Sequence, residues 1–186
     1  MTDDDNDRQL VGRCLAGEPA AIRSLFETHQ GAIFGLCYRM LGHWQDAEDV
    51  AQDSLLRGVR YLAHWDPERP LRPWLLAIAA NRCRTHRGRR QLAMRPVEDL
   101  ELLPDSQRGP SRELAEELQQ ALDELREEYR LCFVLHHVNQ LGLAEIGEML
   151  NCPEGTVKTW LFRARKQLAE SLRRRGVAMQ VDHDVR

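Results

Sequence analysis

LAEIGEMLNCPEGTVKTWLFRARKQL, residues 143–168, decides the fold. The stretch reads as two helices joined by a tight turn. The first, Ala144 to Leu150, is short and half apolar. Asn151, Cys152 and Pro153 interrupt it, and the fixed φ of Pro153 suits the start of a new helix. The second helix runs from about Glu154 past Leu168. Val157, Leu161, Ala164 and Leu168 recur at helical spacing and predict a buried stripe. Lys158, Thr159, Phe162, Arg163 and Lys166 fall on the opposite side. A short helix, a turn and a longer helix with a basic outer face is the helix-turn-helix arrangement, whose second helix enters the DNA major groove.

The rest of the chain is helical in pattern as well. At 186 residues, with 42% hydrophobic and 6% aromatic content, it allows one domain or two small ones. The acidic N-terminus (Asp3, Asp4, Asp5, Asp7) does not resemble a signal peptide, and no apolar run approaches a membrane span. A cytoplasmic protein is expected. The five cysteines, at 14, 37, 83, 132 and 152, suggest neither a disulfide framework nor a C-x-x-C metal or redox site. No metal and no cofactor are expected, and the adjacent His136 and His137 read as one packed and one solvated side chain.

Net charge is −3, but its distribution is uneven. Eight arginines and one glutamate lie between Pro67 and Arg95. Nine acids and two arginines follow between Pro96 and Leu125. Seven basic and two acidic residues then lie between Asn151 and Arg175. Two basic blocks around an acidic one suggest two contacts with a phosphate polymer.

Helices are expected over Asp7–Ala16, Pro19 to Gly42, from Asp46 as N-cap to about Ala63, and Trp74 to about Arg90. Asp66 to Pro70 is a loop, and about 91–112 reads as an acidic flexible tether with three prolines. A second unit follows: Glu113–Glu128, Arg130–Val138, Ala144–Leu150 and Glu154–Arg175. The expected fold is all-α, with two small helical domains (1–90 and 113–175), a linker (91–112) and a frayed tail (176–186).

GTVKT (155–159) with FRARK (162–166), preceded by Glu145 and Ile146, resembles region 4 of the extracytoplasmic-function (ECF) sigma factors of the sigma-70 family. YRMLGHWQDAEDVAQD (38–53), PWL (73–75) and IAAN (78–81) followed by arginines resemble region 2 of the same family. The likeness covers about residues 8–175. It implies a four-helix region 2 and a four-helix region 4 with the helix-turn-helix. It also implies a non-catalytic subunit that binds bacterial core RNA polymerase and directs initiation from particular promoters.

Residue by residue, the resemblance places the polymerase contact on Asp46, Glu48, Asp49, Gln52 and Asp53. An acidic, amide-bearing helix face can form charge-assisted hydrogen bonds to arginines of a partner helix; the residues alone fit equally well as complements to a helix N-terminus. Capture of the unpaired −10 strand falls to HWDPERPLRPW (64–74) and the basic helix after it. Trp65 is the candidate stacker, open also to a core role. Asn81 is a polar contact, and Arg84, Arg87, Arg89 and Arg90 meet phosphates. Trp74 reads as core. Lys158, Thr159, Phe162, Arg163 and Lys166 face the −35 duplex, where Arg163 can read a guanine edge or hold a phosphate. Three residues depart from the family pattern. Thr85 stands where Asp is frequent. Trp160 stands for Arg, exchanging a backbone ion pair for apolar contact. Arg126 replaces the Pro of a Leu-Pro-Glu turn and is expected to lengthen its helix.

Implied partners are core polymerase, promoter DNA and an anti-sigma factor, with neither membrane insertion nor a small-molecule substrate. The competing class is a stand-alone helix-turn-helix regulator. It has no use for the 46–53 block or a second basic block. An enzyme is disfavoured, since no nucleophile–base pair, phosphate-cradling glycine loop or metal spacing is present.

Overall fold

The computed structural model describes residues 3–92 and 110–177, with side chains over 6–89 and 114–177. These residues form α-helices and two short irregular turns, with no strand among them. Most of the linker and the tail expected at 91–112 and 176–186 lie outside the described residues. So does the side chain of Arg90.

The first unit holds α1 (Asp3–Leu15), α2 (Pro19–Leu41), α3 (Trp44–Tyr61), a 3₁₀ turn (Leu62–His64) and α4 (Leu71–Leu92). Pro19 opens α2, as its preset φ favours. Gly42 closes α2 in the left-handed region at φ 72°, donating its N–H to the Tyr38 carbonyl. Asp46 is not the N-cap of α3. The helix starts two residues earlier, and His43 takes that role, its Nδ1 accepting from the Asp46 N–H at 3.4 Å. α4 likewise begins before Trp74. Pro73 fits inside its first turn, where no N–H is needed.

The second unit holds α5 (Pro110–Asp123), α6 (Glu127–Phe133), a π turn (Val134–Val138), α7 (Leu143–Leu150) and α8 (Glu154–Arg174). Arg126 does not lengthen a helix. Its ψ of 148° is extended, and it stands as the N-cap between α5 and α6. The break therefore survives the loss of proline. The π turn had no sequence signature. The buried Asn139 side chain donates to the Val134 carbonyl at 3.3 Å, and its own backbone N–H does so at 3.0 Å. Together they satisfy the carbonyl that the wide turn exposes.

The predicted stripe of α8 is buried. Val157 and Leu161 join the larger core, and Ala164 and Leu168 pack with Leu122 and Leu125. Trp160 packs against both clusters. On α1, Val11 and Cys14 are buried, whereas Leu15 is exposed. The larger core does not stop at the unit boundary. Leu36, Met40 and Cys83 of the first unit share it with Leu131, Leu135 and Ile146 of the second. α2 touches α5, α6 and the π turn, and α4 touches α7.

Candidate nucleic-acid and protein interfaces

The helix-turn-helix is held by three backbone devices. Glu145 accepts the Gly142 N–H at 2.7 Å and anchors the start of α7. Asn151 ends α7 in the left-handed region at φ 52°, a conformation its short amide side chain tolerates. The Cys152 N–H then donates to the Gly147 carbonyl at 2.9 Å. Gly147 is needed there for close approach, because a Cβ would lie 2.9 Å from the Cys152 carbonyl oxygen.

This turn presents one face of α8 to solvent. Lys158, Thr159, Phe162, Arg163 and Lys166 are all exposed, and Phe162 at 65% is an unusual apolar residue to leave in water. Arg165 is also exposed on this helix and was not singled out from the sequence. Lys158 pairs with Glu154 at 2.8 Å, and the Thr159 hydroxyl donates to the Gly155 carbonyl. Arg163 Nη1 donates to the Tyr129 hydroxyl at 3.0 Å, which holds its guanidinium against α6. That hydrogen bond holds the Tyr129 phenol below its ordinary pKa. The basic end of α8 is spoken for: Arg175 pairs with Glu117 of α5, and Arg174 and Arg175 pair with Glu124, just past the end of α5. The DNA-facing charge is thus smaller than the sequence count of this block.

In the first unit the 46–53 block divides. Glu48, Asp49 and Gln52 are exposed on α3. Leu56, one turn on and 56% exposed, extends the same face with an apolar side chain that charge-based reasoning passed over. Asp46 and Asp53 turn inward instead. Asp46 lies 3.6 Å from His86 Nε2 on α4. Asp53 accepts from Arg82 at 2.6 Å and from Arg57 at 3.0 Å. Partial burial alone would raise the Asp53 pKa, but these two arginines hold it below the carboxylate range. Both acids therefore pin α3 to α4, and the free acidic-amide face is narrower than predicted.

The loop after α3 is tied to α1: Arg8 donates to the Pro67 carbonyl at 2.8 Å, and Asp7 accepts the Leu71 N–H. Trp65 is only 8% exposed and belongs to the core. It supports the loop from below and does not offer a stacking face to solvent. Trp74, half-buried, packs against the same core. Asn81 and Arg89 are exposed on α4. Arg84 points toward the second unit, to Glu127 at 3.2 Å, whereas Arg87 donates to the Met40 carbonyl at the end of α2 at 3.3 Å. Thr85 donates to the Asn81 carbonyl one turn back.

The sigma-70 region 2 family model matches residues 25–92, and the model for sigma-70 region 4 matches 115–168. The ECF RNA polymerase sigma factor SigW of Bacillus subtilis is 35% identical over 182 residues, covering 89% of this chain and 96% of the relative. The chain belongs to the ECF sigma factors. The RNA polymerase sigma-H factor of Pseudomonas aeruginosa is 30% identical, covering 92% of this sigma factor and 96% of the relative. Among solved structures, CnrH in complex with the cytosolic domain of CnrY matches with a TM-score of 0.70 at 25% identity, over 90% of this chain and 97% of that one. RpoE in complex with the anti-sigma factor NepR from Bartonella quintana matches in fold, with a TM-score of 0.70 at 20% identity, over 81% and 96%. A stand-alone regulator is not favoured, since one family model accounts for the whole of α3 and α4. Among the described residues no helix is long and apolar enough to cross a membrane.

Proposed function

We propose that this sigma factor docks on bacterial core RNA polymerase through Glu48, Asp49, Gln52 and Leu56 and reads a promoter at two places. It performs no chemistry of its own and works in the cytoplasm, where polymerase is. The observation that carries the reading is the joint presence of two faces on one chain. One is an exposed acidic-amide face with an apolar residue on α3. The other is an exposed basic-aromatic face on the second helix of a helix-turn-helix. The first suits arginines on a protein; the second suits a major groove.

On the −35 duplex, Lys158, Thr159, Phe162, Arg163 and Lys166 form the reading face. Arg163 is preorganised by Tyr129, and Phe162 has its ring free for thymine methyl groups. On the −10 strand, Asn81 and Arg89 are the exposed contacts, with Arg84, Arg87 and Arg90 as further phosphate partners. Asp46 and Asp53 hold α3 against α4, so they shape the polymerase dock without being its outer surface. An anti-sigma partner is part of this reading; it is supported by RpoE, solved in complex with the anti-sigma factor NepR, and by CnrH, solved with the cytosolic domain of CnrY.

The two DNA contacts are separable in holoenzyme. Arg163→Ala should cost ~1–3 kcal/mol at one −35 position if the guanidinium contacts a base edge, and that loss should vanish when that base pair is changed. Arg89→Ala should weaken binding equally at every promoter and flatten its salt dependence, because it removes a phosphate contact. A loss that is uniform across every −35 substitution would make Arg163 a backbone clamp and move sequence reading to Lys158, Thr159 and Phe162.

A further inference from the structure

The contact between the two helical units is built on the surface proposed for the −10 strand. At its centre is the C-terminus of α2, whose last carbonyls have no partner within the helix. Arg130 of α6 donates to the Met40 carbonyl at 3.0 Å, and Gln119 of α5 reaches the Arg39 carbonyl at 3.4 Å. Arg130 is 2% exposed and also pairs with Asp123 at 2.7 Å. Asp123 itself sits over Gly42, where a Cβ would be 3.1 Å from its carboxylate. Two ion pairs flank this centre. Glu127 of α6 holds Arg84 of α4 at 3.2 Å, and Glu148 of α7 holds Arg69 of the loop at 3.0 Å. Beside Arg69, a cleft of about 350 Å3 runs between the loop (Trp65, Pro70), the start of α4 (Trp74) and α7 (Glu145, Met149).

We infer that Glu127 and Glu148 stand in for DNA phosphates, so that the free chain keeps part of its −10 surface closed against its own second unit. This rests on the proposed reading of Arg84 as a strand contact. A carboxylate offers the same acceptor chemistry to a guanidinium as a phosphate oxygen does. While Glu127 occupies Arg84, a DNA strand must displace it.

The polar part of the contact is weakly held. Arg130 Nε and Nη2 are buried without a hydrogen-bond partner, and a buried charge with unsatisfied donors carries a lasting desolvation cost. Burial lowers the Arg130 pKa to about 10, against the pull of Asp123. Both flanking pairs are a third or more exposed, so they add little stability and exchange readily with competing anions. The apolar core shared by the two units holds the closed form, so a partner that separates them must compensate for its exposure, while the polar rim offers little resistance.

The test uses the full chain without polymerase. Small-angle X-ray scattering is compared for the wild-type chain and for Glu127→Lys with Glu148→Lys, whose new charges repel Arg84 and Arg69. Circular dichroism checks that helicity is kept. A larger radius of gyration in the variant is expected; an unchanged one overturns the clasp. The neutral pair Glu127→Gln with Glu148→Gln should bind −10-type single-stranded DNA about fivefold more tightly than the wild-type chain. Glu27→Gln with Glu170→Gln, which changes net charge equally at exposed sites elsewhere, should not. Equal gains from both pairs overturn phosphate mimicry. The −10 reading stands or falls separately: Arg84→Ala in holoenzyme, where the clasp is not measured, should weaken promoter binding, and no loss there refutes that role for Arg84.

Discussion

Gly147→Ala should lower stability by about 1–3 kcal/mol and cost the protein most of its affinity for a −35 duplex. An alanine methyl at this position would meet the Cys152 carbonyl oxygen at 2.9 Å and the Glu154 nitrogen at 3.7 Å. Neither is the tip of a flexible side chain. Both belong to the backbone of the turn, which the Cys152 to Gly147 hydrogen bond holds against α7. Relief requires α8 to tilt away from α7, which carries the reading face out of register with the groove. Gly155→Ala is the internal comparison. That position has nothing within 4 Å, so the substitution should be neutral or stabilise by up to ~1 kcal/mol through reduced backbone entropy of the unfolded chain. Urea denaturation of both variants separates the two outcomes. Equal stabilities would mean that the turn is looser than its packing indicates.

Asp49→Arg combined with Gln52→Ala should weaken binding to core polymerase by at least ~2 kcal/mol, on the scale of broken charged interface contacts. Both side chains are exposed on α3, and neither holds the fold together. Fluorescence titration of labelled variant into core enzyme gives the affinity directly, and an unchanged melting temperature shows that the chain is folded. Asp53→Asn should behave differently. It releases Arg57 and Arg82 and so loosens the α3–α4 contact, and its main loss should appear in stability. Unchanged core binding by the folded double variant would remove this face from the dock.

The helices were legible in the sequence because their apolar residues recur at 3–4 spacing and because Pro19, Gly42 and Pro153 punctuate them. The stripe of Val157, Leu161, Ala164 and Leu168 is buried as its spacing implies. The misreadings share a cause: long-range partners that no local pattern encodes. Asp46 looked like a cap, yet the ring of His43 takes that role and Asp46 meets His86, forty residues away. Trp65 read as either stacker or core, and its burial depends on how α1 pulls the loop inward. Charge counting saw seven basic residues around α8 but not that Glu117 and Glu124 neutralise two of them. Leu56 escaped notice because one exposed leucine has no signature; it gains meaning only beside Asp49 and Gln52. Arg130 was invisible for the opposite reason. Nothing in its neighbourhood marks an arginine that will be 2% exposed.

The central claim is that this chain gives core polymerase a choice of promoter. Transcription in vitro from a template library tests it most directly. Core enzyme alone and core enzyme with the chain are given fragments in which two blocks, spaced as −35 and −10 elements, are randomised, and the transcribed templates are sequenced. The account predicts that the chain stimulates initiation and enriches one sequence in each block, with the −35 preference altered by Arg163→Ala. Binding of the chain to duplex DNA without any stimulation of core enzyme, or enrichment confined to a single block, would contradict it.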